Sequence, residues 1–133
     1  MSSNIRYIGH VPTRDHNAFN VTPMAVLNIS RASMAENGFS PATRVFEAAG
    51  AGACLITDHW EGIEVFLKPG EEVLVARDGQ DVADLVGGLS RQTAQEIGER
   101  ARRRILADHT YADRAKIVDE IFRARLGARE AAE

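Results

Sequence analysis

A threonine, an arginine and a glutamate stand at positions 43, 44 and 47, just after a short run that opens at Gly38 and continues through Phe39, Ser40 and Pro41. Residues four apart on a helix share a face, so Thr43 and Glu47 would stand one turn apart with Arg44 flanking them. Ser40-Pro41 reads as a helix start, an N-cap residue followed by proline at the first helical position. The run follows an apolar strand-like segment, so it places a glycine loop and a helix N-terminus at a strand's carboxyl end. At that edge open N–H groups and the positive end of the helix dipole favour an anion. A hydroxyl, a guanidinium and a carboxylate there would hold a phosphate and a sugar diol together. The competing reading is structural: Arg44 and Glu47 form an i,i+3 surface ion pair, and Ser40 only caps the helix.

Other chemistry is less well supported. His10, His16, His59 and His109 show neither i,i+4 pairing nor a cysteine companion, so no metal site is expected. Gly50-Ala51-Gly52 precedes a strand instead of following one, which makes it a helix stop and not a dinucleotide fingerprint. No Gly-x-Ser-x-Gly elbow occurs, and the single cysteine, Cys54, lies in an apolar strand as a buried, inert thiol of a reducing compartment. Asp58 ends that strand, where it either lines the ligand edge or caps a short helix over Gly62 to Leu67. Trp60 either stacks on a base or sugar or covers the sheet. Arg100, Arg102, Arg103 and Arg104 read as a solvated helix face.

The elements that position these residues alternate. Ile5 to Val11, Met24 to Ile29, Ala53 to Thr57 and Glu71 to Ala76 are near-continuous apolar runs, as strands buried on both faces of a parallel sheet must be. Helices are expected from Ser40 to the glycines at 50 and 52, over Gln80 to Leu89, over Gln92 to Asp108 behind a Ser90 cap, and over Tyr111 to Leu126. The last of these is expected to bury Val118, Ile121, Phe122 and Leu126, with residues 127–133 as a frayed tail. The fold class is therefore α/β: an open parallel sheet of about four strands flanked by helices, with a helical C-terminal extension. At 133 residues, 44% apolar and 26% charged, the chain suits one domain with a real core. Its net charge of -3 argues against nucleic acid as a partner. There is no signal sequence and no apolar stretch of membrane-spanning length, so the expected location is cytoplasmic. Two Asn-x-Ser/Thr sequons, at Asn20 and Asn28, are read as chance matches.

The run GFSPATRVFEAAGAGACLITD, followed by WEGIEVFLKPGEEVLVARD and later by ILADHTYADRA, resembles the C-terminal half of group 1 glycosyltransferases, and most closely their CgeB-like spore-maturation branch. The similarity extends from RYIGHVP to the penultimate helix. It implies a GT-B architecture in which this chain is the single, partial domain that binds a nucleotide-diphosphate sugar, with transfer to a hydroxyl acceptor and no metal or other cofactor. It also implies that Glu47 bonds the ribose hydroxyls, that the backbone of Gly38 to Pro41 approaches the donor sugar or its phosphates, and that Thr43 and Arg44 flank them. A second glutamate in the wider pattern, eight positions before Glu47, is Phe39 here. The pattern's diphosphate-neutralising Arg and Lys belong to an earlier segment, as do two strands of the sheet. Either the chain is part of a longer enzyme whose N-terminal domain is missing here, or Ile5 to Val11 moves in beside Met24 to Ile29, or a partner such as a second copy of the chain supplies the edge. The alternative is a non-catalytic α/β module that binds a nucleotide or phosphate. A phospho-receiver built on Asp58 would need an acidic pair that Gly9-His10-Val11 does not supply.

Overall fold

The computed structural model describes residues 3–130, and the side chains of 128–130 are left aside. A 3-10 turn at Thr13–Asp15 leads into α1 (His16–Val21), β1 (Val26–Asn28), α2 (Ala32–Asn37), α3 (Thr43–Ala51), β2 (Leu55–Asp58), α4 (Ile63–Phe66) and β3 (Leu74–Ala76). Three helices close the chain: α5 (Gly79–Gly88), α6 (Arg91–Asp108) and α7 (Tyr111–Glu130). The strands form one parallel sheet in the order β1-β2-β3, with Val26 opposite Leu55 and Ile56 opposite Leu74. The architecture is the expected open, Rossmann-like α/β sheet, but it has three strands and not four.

The missing strand is Ile5 to Val11, which takes no regular structure. A strand exists only by pairing, and here the free edge of β1 goes unclaimed. Ile5, Tyr7 and Ile8 stay exposed, and Gly9 turns to a positive φ of 73°. A groove of about 850 Å³ runs between this segment, α1 and the β1 edge.

Local signals explain the rest. Gly52 adopts the left-handed conformation (φ 87°) and closes α3, while the Ala53 N–H reaches back to the Ala48 carbonyl at 2.9 Å. Asp78 caps α5 by accepting from the N–H groups of Gln80 and Asp81, and Ser90 caps α6 by accepting from that of Thr93. Alternation along the strands sends Leu55 and Val75 to one apolar cluster and Cys54 and Leu74 to the other. The first cluster joins Val45, Ala48 and Ala49 of α3 to Ala101 and Ile105 of α6. Gly98 of α6 lies directly against the Gly52 carbonyl, where a Cβ would collide with main chain.

Two expectations about the helices fail. α3 begins at Thr43 behind Ala42, which carries no side-chain cap, so Ser40 is not the N-cap. The Phe39 N–H is bound to the Glu61 carbonyl at 2.6 Å, and residues 40–42 are used in spanning from that anchor to the helix. In α7, Val118, Ile121, Phe122 and Leu126 are half or more exposed, because only the start of the helix lies against the body of the domain. The helix continues to Glu130, so the tail expected from Gly127 falls partly within it, and residues 131–133 lie outside the described residues. No helix among the described residues is long and apolar enough to cross a membrane.

Candidate functional site

The carboxyl edge of the sheet is organised by short polar side chains. Asn28 of β1 donates its amide to the Thr57 hydroxyl (3.1 Å), which in turn donates to Asp58 (3.2 Å). Asp58 also accepts from the N–H and the hydroxyl of Ser30, at 2.9 and 3.1 Å. The carboxylate thus ties the exits of β1 and β2 together, and it does not cap α4, whose N-cap is Gly62. Trp60 is buried beside Phe66, its ring 6.0 Å away, so it covers the sheet. Arg103 and Arg104 pair with Glu99 and Asp108 along α6, the solvated face expected of them.

Gly38 and Phe39 pack against the loop that carries Glu61 and Gly62. Phe39 has a positive φ of 47°, unusual for a residue with a side chain. Its ring covers Gly62 so closely that a Cβ there would stand 2.5 Å from the ring. A Cβ on Gly38 would meet Glu61 at 3.1 Å, so glycine is needed on both sides of the contact.

Thr43, Arg44 and Glu47 are exposed on the outer face of α3. With no side-chain cap, the N–H groups of Thr43 and Arg44 are open at the start of this helix, while that of Val45 donates to the Ala42 carbonyl at 3.0 Å. Arg44 and Glu47 form no ion pair with each other among the described residues. They line instead a cavity of about 360 Å³, whose far wall is Gly9, His10 and Val11 backed by His16 and Asn20 of α1. His16 holds that wall in place through a bond between its Nε2 and the Val11 carbonyl (3.0 Å). Glu47 also borders a second cavity, about 580 Å³, together with Thr43, His109, Tyr111 and Arg114. The structure therefore brings Arg44 and Glu47 to one cavity and Thr43 and Glu47 to the other, while Gly38, Phe39 and Ser40 line neither.

The walls supplied by His10, His16 and Asn20 and by Tyr111 and Arg114 were not legible as site residues. The first set lies in or beside the segment expected to be a strand, and the second in a helix expected to be structural. Arg114 carried one weak signal, its place in the HTYADRA run.

His109 sits at the back of the larger cavity, its Nδ1 accepting from Arg114 Nη2 at 3.2 Å. Burial first, then the Arg114 and Arg104 charges, hold its pKa below the ordinary imidazole value. The unfolded chain therefore takes up this proton first as pH falls below about 6.5. Stability tied to neutral His109 is full above that value and is lost as pH drops toward the folded pKa. Thermal unfolding between pH 7 and 5 should show a steeper loss of Tm for the wild type than for His109→Gln; parallel profiles would contradict it.

Cys54 is buried, and desolvation raises its pKa to about 11, which keeps it a thiol. Among the described residues no group of three His, Cys, Asp or Glu stands together to hold a metal ion. A family model described as glycosyl transferase-like matches residues 2–120. No curated protein and no solved structure matches the chain.

Proposed function

Because the chain belongs to the glycosyl transferase-like family, we propose that it is the donor-binding, C-terminal half of a GT-B enzyme of the CgeB-like branch, acting in the cytoplasm on a nucleotide-diphosphate sugar. The observation that carries this reading is the carboxylate and guanidinium of Glu47 and Arg44, unpaired with each other, facing one cavity on the open face of α3. A carboxylate accepts two charge-assisted hydrogen bonds from a ribose diol without rearrangement. Arg44 and the open first turn of α3 add positive charge beside it, which offsets charge on a leaving diphosphate as the bond to the anomeric carbon breaks.

An acceptor hydroxyl attacks that carbon, and its proton passes to a base on the acceptor side, outside the residues described here. Charge on the diphosphate is met by N–H groups and guanidinium, so the reading requires no metal. A nucleoside diphosphate titrated calorimetrically in excess chelator is therefore expected to bind. Strict dependence on Mg²⁺ or Mn²⁺ would overturn the metal-independent mechanism, and an absence of binding to any nucleoside diphosphate would overturn the donor assignment. Binding without transfer by the complete enzyme would favour the non-catalytic module instead.

A further inference from the structure

We infer that Arg114 receives the diphosphate of the donor, so that the ligand straddles the outer face of α3 with its ribose on Glu47, its base against Gly9 to Val11 and its phosphates in the cavity beside α7. This rests on the donor reading above and adds to it the residue that neutralises the leaving group.

Arg114 is half-buried, with its guanidinium carbon 5.8 Å from the Phe46 ring centre and 5.4 Å from that of Phe66. Two aromatic faces fix a planar cation and leave its edge available for hydrogen bonds. Of its five N–H donors, one meets His109 Nδ1, and no carboxylate of the described residues pairs with it. The nearest acid in sequence, Asp113, is engaged elsewhere: it accepts from the N–H and hydroxyl of Thr110 at 3.1 and 2.6 Å and faces Lys116 at 3.5 Å. By contrast Arg77, Arg104 and Arg123 each hold an acid four residues away along the chain. A half-buried guanidinium with donors left over and no acid partner among the described residues is arranged for an anion that arrives with the ligand.

The cavity supplies the rest of the geometry. Thr43, the first residue of α3, lines it opposite Arg114, so the open end of the helix also serves this side. Its volume of about 580 Å³ lies in the range of small-molecule sites. Glu47 borders both cavities. A ribose held there by its diol projects base and 5′-phosphates in different directions, one into each. Arg44, exposed to solvent on the other side, is the weaker anion partner of the two because its charge is screened.

Calorimetry with a nucleoside and its diphosphate, uridine and guanosine in turn, separates the roles in wild type, Arg114→Gln and Arg114→Lys. Both variants should bind the nucleoside as the wild type does. Arg114→Gln should lose tenfold or more in diphosphate affinity, and Arg114→Lys, which keeps the charge but not the fork, should lose several-fold. Unchanged diphosphate affinity in Arg114→Lys and Arg114→Gln would overturn the assignment, as would equal losses for nucleoside and diphosphate. Should Arg114→Gln unfold, the lysine variant decides alone. A wild type that binds nucleoside and diphosphate equally tightly refutes the role of Arg114 and leaves the ribose site standing. One that binds neither refutes the donor reading itself.

Discussion

Glu47→Gln is expected to weaken nucleoside diphosphate binding roughly ten- to a hundredfold, the about 1.5–3 kcal/mol associated with hydrogen bonds to a charged group. Glutamine keeps the length and shape of the side chain and removes the charge that makes each bond to a diol strong. Glu47 is exposed and pairs with no cation among the described residues. The melting temperature should therefore hardly move. Titration and thermal unfolding of the two proteins, run side by side, check both halves of the expectation. Equal affinity in wild type and variant would sink the ribose assignment, and a large fall in Tm with unchanged affinity would make Glu47 a structural residue.

The second large effect is on folding. Gly98 of α6 packs on the carbonyl of Gly52, the residue that closes α3 in the left-handed conformation. A methyl group at position 98 would run into main chain on the opposite helix, and main chain anchored by the Ala53 to Ala48 bond has little room to retreat. Overpacking of this kind outweighs alanine's better helix propensity, for a net cost of about 3 kcal/mol and a fall in Tm of roughly 10 °C. Gly87→Ala serves as the control, because nothing lies within 4 Å of the added carbon, and it should be neutral or slightly stabilising. Differential scanning calorimetry of the two alanine variants reads the contrast. A Gly98→Ala protein as stable as wild type would mean that the α3 and α6 packing is looser than described.

Legibility followed the range of the interactions. The helix stop at Gly52, the cap at Ser90 and the apolar hearts of β1, β2 and β3 are written locally, in a few neighbouring residues, and all stand where the sequence reading puts them. Ile5 to Val11 has the composition of a strand, but pairing depends on an edge supplied by distant residues, and composition carries no record of it. The stripe of Val118, Ile121, Phe122 and Leu126 likewise says that a face is apolar and not what lies opposite. Ser40 has the local signature of a cap, but the bond between Phe39 and Glu61, twenty-two positions apart, decides where α3 can begin. Glu47 and Arg44 were legible as a pair on one helix turn, whereas His10, Asn20 and Arg114 join the site only through tertiary packing.

Trp60 gives the molecule a built-in optical signal. It is the single tryptophan of the chain, and its indole is buried beside Phe66 one residue before the Glu61-Gly62 loop that seats Phe39. Excited beyond the absorption band of its two tyrosines, the protein therefore emits from one fluorophore, buried in an apolar setting just after β2. Phe66 also stacks on Arg114, so the same fluorophore stands two aromatic contacts from the guanidinium that borders the larger cavity. Rearrangement of the Glu61-Gly62 loop, or of the α7 junction, is thus coupled to the colour and intensity of a single intrinsic dye, with no label attached.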